Sequence, residues 1–211
     1  MDPEVMMNRK AFDKILTAIG AVVTIFLVAA GGLLLWGSHY ANDQVKTQLV
    51  AQKVFFPPKG DAMQPQNEIG KYLDQYAGQQ LTTGAQAKAY ADHFIAVHLK
   101  EAAGGQTYAQ VSNKLIALQA SNPKSADVAT LTAQKDTLFR GESLRGMLLN
   151  AYGWWKMGQL ALWGSLVSFV AAGVMFVLTI LGALHLRRVT PDAEIFVDLP
   201  KTSTPDPVTV N

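Results

Sequence analysis

The chain has 211 residues, of which only 16% are charged, with a net charge of +2 and no cysteine. An ordinary soluble domain has about 25% charged residues, so this composition argues against a wholly soluble protein. The absence of cysteine excludes structural disulfides and a lipid-modified cysteine.

The first predicted element is a membrane-spanning helix, residues 15–38. This stretch contains no Asp, Glu, Lys or Arg, and about 20 mainly apolar residues are enough to cross a bilayer. It lacks the polar stripe of a helix in a soluble protein. Residues 1–14 are predicted to be a cytoplasmic N-terminus. A cleaved signal peptide is the alternative, but no A-x-A-like site follows Trp36, so an uncleaved anchor is favoured.

Residues 39–156 are predicted to form an extracytoplasmic, mainly helical domain. Residues 44–52 would extend the first span as a stalk, and Phe55–Gly60, with its two prolines, would end the helix before a polar stretch to about Asn67. The domain has twelve Lys or Arg and nine Asp or Glu residues. A charge excess this small and dispersed does not indicate nucleic acid recognition.

Two helices with clear start and stop signals are predicted within this domain. Ala85–Ala103 begins after Thr82–Gly84, which offers an N-cap, and is followed by two glycines that favour a helix end. Tyr108–Ala120 begins after a second candidate cap, Thr107, and is closed by an Asn-Pro pair.

A third helix is predicted to begin near Ser125 and to run toward the second span. One break is expected along it, because four glycines each make a helix about 1 kcal/mol less favourable. Three helices around a small core of Leu, Val and Phe side chains are marginally stable alone, so contact with the spans or with a partner is expected. The glycines are Gly141, Gly146, Gly153 and Gly158.

The last predicted helix is the second membrane span, residues 157–186, in which no charge occurs from Met157 to Leu184. Residues 187–211 are predicted to be a disordered cytoplasmic tail, because four prolines lie there among Thr, Ser and Asp. Glu194–Leu199 is an apolar island in this tail. It is either a docking motif for a cytoplasmic partner or part of a solvated or membrane-adsorbed tail.

Two spans place both termini on one side of the membrane, and the flanking charges predict that this side is the cytoplasm. Lys14 precedes the first span, and a pair of arginines follows the second, as the positive-inside rule requires of cytoplasmic flanks. The basic residues of the domain count for less, since the rule applies to loops shorter than about 60 residues. The predicted localisation is the plasma membrane, with a multi-pass topology and both termini cytoplasmic.

Aromatic and basic residues mark the predicted membrane boundaries. The rings that end the first span and open the second would form one belt on the outer face, because Trp and Tyr favour the bilayer interface. The predicted membrane-interface residues are Trp36, Tyr40, Trp154, Trp155, Lys156, Arg187 and Arg188.

Small residues recur along both spans and favour packing of the two helices as a hairpin. Such ridges let helices approach closely in lipid, although small residues are also common in membrane helices generally. Neither span contains a charged residue, which argues against a transporter or channel. The ridges are Gly20, Thr24 and Gly32 in the first span and Gly164, Ser168 and Ala172 in the second.

The sequence contains no recognisable catalytic or cofactor-binding motif. His93 and His98 are five residues apart, whereas two ligands on one helix face need a separation of four. His39 and Asp43 have that separation but lack a third ligand. No cofactor and no metal is therefore predicted. Glu142 and Arg145 are spaced for an ion pair, with contact of Arg145 and Lys156 with anionic headgroups as the alternative.

Four segments framed by the two spans are Gln48–Pro57, Tyr90–His98, Gly105–Ala109 and Leu148–Ala151. Taken together, they resemble an uncharacterised family of actinobacterial two-span membrane proteins over about residues 15–185. The resemblance implies this topology and a location in the cell envelope, but no activity. Some members carry the label aromatic-ring-opening dioxygenase, which requires an iron site with His and carboxylate ligands that this sequence does not offer.

These features favour an all-α, non-enzymatic integral membrane protein of the cell envelope, a structural or accessory subunit of a membrane complex. Its expected partners are membrane lipids and a membrane protein or a second copy of the chain, and not nucleic acid. The alternative is a lipid or small-ligand binding module, with Phe55, Phe56, Phe94 and Ile95 lining an apolar groove. An iron dioxygenase is the least favoured hypothesis.

Overall fold

The computed structural model describes residues 9–188, and every regular element in this range is a helix, apart from one isolated bridge between Phe55 and Gln80. The prediction of an all-α protein is confirmed. The expectations for residues 1–8 and for the tail from Val189, with its Glu194–Leu199 island, lie outside the described residues.

Helix α1, Arg9–Ala51, contains the first apolar run and all but the last residue of the predicted stalk in one continuous element. The chain leaves it at Lys53, which has a positive φ of 53°. Between α1 and the next long helix, the chain forms four consecutive short turns, of which only the first part, to about Asn67, was predicted as a polar stretch. They are a 3₁₀ turn at Asp61–Met63, a π turn at Gln66–Gly70, an α turn at Lys71–Leu73 and a 3₁₀ turn at Asp74–Tyr76.

The two helices with predicted caps begin within one residue of the expected positions. Helix α2, Gly84–Tyr90, continues through a π-helical turn, Ala91–Ile95, into α3, Ala96–Ala102. Helix α4 covers Tyr108–Ser121. In both capping boxes, the threonine hydroxyl accepts from the backbone N–H three residues later and the glutamine side chain there accepts in return.

Helix α5, Asp127–Leu186, is continuous over 60 residues, so the predicted break is wrong. Glycine lowers helix propensity but keeps its backbone hydrogen bonds, unlike proline. Two of the four glycines also lie where another element approaches closely. A Cβ on Gly141 would lie 2.9 Å from Cγ of Leu99, and one on Gly158 would lie 3.3 Å from the carbonyl oxygen of Ser38.

The described chain divides into two compact units, one of residues 9–32 and 165–188 and one of residues 33–164. The first consists of α1 and α5 segments and is strongly apolar on its outside. Both helices are long and apolar enough to cross a membrane, and only 17% and 11% of their most apolar stretches are buried. They touch through small residues: the Ser165 hydroxyl donates to the Gly31 carbonyl at 2.9 Å and the Ser168 hydroxyl to the Leu27 carbonyl at 2.8 Å.

The predicted ridge of small residues is correct for the α5 segment but contains one wrong residue on α1. Ser168 and Ala172 are buried, as is Gly20, whereas Gly32 is exposed with open space around it. Gly31 is the contact residue, packed on the Phe169 ring. At 3.6 residues per turn, position 31 lies almost directly above position 20, while position 32 is about 100° farther round.

The second unit, residues 33–164, contains two clusters of buried side chains. The larger joins α1, the short turns, α2, α3 and α5, and the smaller joins α3, α4 and α5. Three of the completely buried residues, Met63, Ile69 and Leu73, come from the short turns, and Met63 among them lies in the stretch predicted to be polar. The larger cluster is Val45, Leu49, Phe56, Met63, Ile69, Leu73, Leu81, Ala87, Ala91, Val97 and Leu148, and the smaller is Leu99, Ala103, Val111 and Leu138.

Candidate ligand-binding cleft

A cleft of about 680 Å³ lies in the second unit, between the C-terminal part of α1 and the middle of α5. Its volume is within the range of about 300–1,000 Å³ typical of small-molecule sites. Val54 from the turn after α1, Tyr90 from α2 and Ile95 from the π-helical turn complete the walls. The cleft is therefore built by several separate parts of the chain.

One edge of the cleft is a polar stripe on α1 and the residue that follows it. Tyr40, Gln44, Gln48 and Gln52 recur at every fourth position and all line the cleft. Residues spaced by four share one helix face, so this stripe follows from the sequence once the stalk is known to be helical. Asn150 supplies one more amide from α5. Among the described residues, the side chains of these glutamines and of Asn150 have no hydrogen-bond partner.

The rest of the lining is apolar and comes from both long helices. Val45 and Leu49 lie beside the glutamine stripe, and Leu148 and Ala151 face them from α5. Of the described residues that line the cleft, none is Asp, Glu, Lys, Arg or His. The cleft thus combines an apolar floor with uncharged hydrogen-bonding groups.

Two of the predicted membrane-interface residues, Tyr40 and Trp154, line this cleft. Trp36 stacks on Tyr40 with ring centroids 5.7 Å apart, and Trp36 and Trp154 are both more than 60% exposed. Trp155 differs: it is half-buried against the core and packs on Gly84. The basic members of the set are exposed, namely Lys156 within α5 and Arg187 and Arg188 just after its end.

The residues predicted to line an apolar groove are only partly where they were expected. Ile95 lines the cleft, but Phe56 is buried in the larger core cluster and Phe55 is 55% exposed. Phe94 lies between the Tyr90 and His98 rings, tilted against both, with centroids 4.7 and 4.4 Å away. The alternation of neighbouring side chains after α1 explains the difference, because Phe56 points inward as Phe55 points outward.

A group of charged residues ties α2 and its π-helical turn to α5. Asp92 pairs with Lys88 and, at 3.4 Å, with Nη2 of Arg145. The predicted pair of Glu142 with Arg145 is present at 3.3 Å. Partial burial acts to raise the pKa of Asp92, but the hydrogen bonds and positive charges of Lys88 and Arg145 outweigh it and lower that pKa below its ordinary value. Arg145 is thus engaged within the fold.

His93 and His98 form contacts typical of structural side chains. His93 stacks on Tyr72 with centroids 3.7 Å apart, and Nδ1 of His98 lies 2.7 Å from the carbonyl oxygen of Phe94. Within residues 9–188, no three His, Asp or Glu side chains are close enough together to hold a metal ion. Burial raises the pKa of Tyr90, so its hydroxyl at the cleft stays protonated at neutral pH.

Compared with protein-family models, with curated proteins and with solved structures, the chain matches none. The resemblance to actinobacterial two-span proteins therefore stays an expectation from the sequence.

Proposed function

We propose that the chain is an integral membrane protein whose two apolar helical runs cross the bilayer. The observation that carries this proposal is that large apolar side chains point outward along both uncharged runs, among them Phe26, Val167 and Phe176, all more than half exposed. Burying one such side chain is worth about 1.5–3 kcal/mol relative to water. A bilayer supplies that burial for many side chains at once.

The contacts between α1 and α5 support a hairpin of two spans. Thr17 lies against Gly182, Gly20 against Thr179, Leu27 against Ser168 and Gly31 against Ser165, so the partner number falls as the residue number rises. Helices that pair in this order run in opposite directions. Residues 39–156 would then form one extracytoplasmic domain between the spans, with both termini in the cytoplasm.

Single-cysteine labelling tests this topology, because the natural chain provides a cysteine-free background. A membrane-impermeant maleimide should label Lys124→Cys in intact cells and Ser203→Cys only after the cells are opened. Labelling of Ser203→Cys from outside would contradict the proposed orientation. Extraction of the whole protein by carbonate without detergent would contradict membrane insertion.

For the role in the membrane, we infer a non-enzymatic structural or accessory subunit that binds a membrane protein or a second copy of this chain. An exposed apolar patch outside the uncharged runs supports this role. Phe139 of α5 is 61% exposed, and the Tyr108 ring of α4, 40% exposed, lies beside it with ring centroids 6.1 Å apart. Exposed apolar patches of this kind commonly mark protein interfaces.

Native isolation in mild detergent tests the subunit role. The full chain should co-purify in stoichiometric amounts with a protein partner or as a homo-oligomer, and Phe139→Gln should weaken that association at least fivefold. Thr137→Gln, at an exposed site on the same helix, should leave the association unchanged. A monomer in every mild detergent would overturn the proposal.

The cleft favours a second candidate function, the binding of a lipid or another small ligand. Its volume, its apolar floor and its unpartnered amides are those of a binding site. The two functions are compatible, because the cleft and the Phe139 patch share no residue.

A further inference from the structure

We propose that the cleft binds an uncharged lipid whose headgroup carries several hydroxyl groups. This inference rests on the proposed membrane location and names the ligand class for the cleft. The juxtaposition that supports it is a row of free amides beside an apolar floor, next to two rings expected at the membrane boundary.

The uncharged lining of the cleft disfavours ionic headgroups. A charged group that leaves water needs an opposite charge or several strong hydrogen bonds to offset its lost hydration. The cleft supplies no charged side chain, and the nearby Arg145 and Lys88 are already paired with carboxylates. Within the lining itself, phosphatidylglycerol and similar anionic lipids therefore find no counter-charge; Lys53, between the lining residues Gln52 and Val54, lies outside the lining.

The amides match a headgroup with hydroxyl groups. Each glutamine or asparagine side chain both donates and accepts hydrogen bonds, as a hydroxyl does. Gln44, Gln48 and Gln52 together extend over about 12 Å of helix, with Asn150 contributed by α5. A sugar or polyol ring presents donors and acceptors on several sides and can engage more than one of these amides.

The apolar floor and the position of the cleft indicate a ligand supplied by the bilayer. Val45, Leu49 and Leu148 are buried residues whose surfaces form part of the lining. Tyr40 lies two residues after the first uncharged run, and Trp154 lies three residues before the second. Aromatic rings of this kind settle at the level of the headgroups, which favours a lipid over a water-soluble ligand.

Photocrosslinking of the full chain in phosphatidylcholine nanodiscs tests the proposal. The probe is a monoglucosyldiacylglycerol that carries a diazirine in one acyl chain. Mass spectrometry should find crosslinks in residues 40–54 and 144–154, and unlabelled monoglucosyldiacylglycerol should reduce them at least fivefold at equal lipid concentrations where phosphatidylglycerol does not. Equal competition by phosphatidylglycerol, or full competition by water-soluble methyl glucoside, would overturn the proposal.

The pattern of crosslinks separates this inference from the proposed membrane location. Crosslinks confined to residues 15–38 and 157–184, without competition, would leave the membrane spans in place and reject the cleft as a lipid site. The absence of crosslinks from all of these segments would reject both the lipid site in the cleft and the membrane spans.

Matched variants connect the crosslinking to the cleft itself. Ala151→Trp should fill the floor and reduce crosslinking in residues 40–54 by at least fivefold, whereas Ala129→Trp, exposed on the same helix outside the cleft, should not. Gln48→Leu should weaken competition by the glucolipid about fivefold, as expected for one lost hydrogen bond. Thr47→Leu is its control. Equal effects of cleft and control variants would contradict the proposed site.

Discussion

Gly84 shows how one missing side chain sets the distance between two helices. A Cβ at this position would collide with the side chain of Trp155 and lie 3.1 Å from the backbone Cα of Tyr152. Backbone cannot rotate away as a flexible side chain can. The first turn of α2 therefore rests directly on α5 only because residue 84 is glycine.

Gly84→Ala is expected to destabilise the second unit by about 1–3 kcal/mol, because α2 must move away from α5. Thermal unfolding followed by circular dichroism in detergent should show a midpoint lower by several degrees. Gly146→Ala is the matched control, since nothing lies within 4 Å of its new Cβ. It should raise the midpoint, because alanine favours a helix over glycine by about 1 kcal/mol. Equal responses of the two variants would contradict the close contact.

Asp92 is the residue whose ionisation couples α2 to α5. Its pKa is lowered in the folded protein, so the folded state favours the charged carboxylate more than the unfolded state does. The stabilisation is fully present above the ordinary pKa of 3.8 and is lost as the pH falls through the lower folded value.

Asp92→Asn is expected to lower the unfolding midpoint at pH 7 by a few degrees, corresponding to roughly 1 kcal/mol for partly exposed ion pairs. The difference from the natural protein should shrink below about pH 4, where the carboxyl of the unfolded chain takes up a proton, and should vanish as the pH falls through the lower pKa of the folded protein. Unfolding midpoints measured from pH 3 to pH 7 check this. Glu101→Gln, at an exposed carboxylate, should show no such dependence, and a constant difference for Asp92→Asn would argue against the ion pairs.

At the scale of elements, helices with local start signals are predictable from the sequence and those without are not. Thr83 with Gln86 and Thr107 with Gln110 are capping boxes, so α2 and α4 begin where expected. The turns of Asp61–Tyr76 have no helical periodicity, and their apolar residues are few and scattered among polar ones. Their burial depends on distant parts of the chain, which a local pattern does not contain.

Ile69 provides a test of these unpredicted turns. It is completely buried, and removing three carbons from such a site typically costs about 2–5 kcal/mol. Ile69→Ala should therefore lower the unfolding midpoint strongly. Ile116→Ala, the same change at a site that is 61% exposed, should alter it by less than about 0.5 kcal/mol. If both variants unfold alike, Asp61–Tyr76 is not part of the core.

Over the whole molecule, the sequence predicts the two apolar runs but not the cleft. The runs are local blocks without charge, whereas the cleft needs α1, α2 and α5 to meet. The spacing of Tyr40, Gln44, Gln48 and Gln52 was the available signal, since a polar stripe on an otherwise partly buried helix indicates a face that lines water or a ligand. The stripe becomes one wall of a cleft only because α5 lies beside it, and this arrangement is not visible in the sequence.

The pairing of the two apolar runs can be tested by a disulfide introduced into the membrane. A Cβ on Gly20 would lie 3.7 Å from Cβ of Thr179, within the separation of about 3.5–4.5 Å that a disulfide requires. In bilayers, oxidation should therefore join Gly20→Cys to Thr179→Cys within one chain, with the linked peptides found by mass spectrometry and the protein still monomeric on a denaturing gel. Gly32→Cys with Thr179→Cys should not form this link, because Gly32 has open space around it. A disulfide that forms only between two copies of the chain would contradict the hairpin and would indicate that the apolar runs of different copies pair instead.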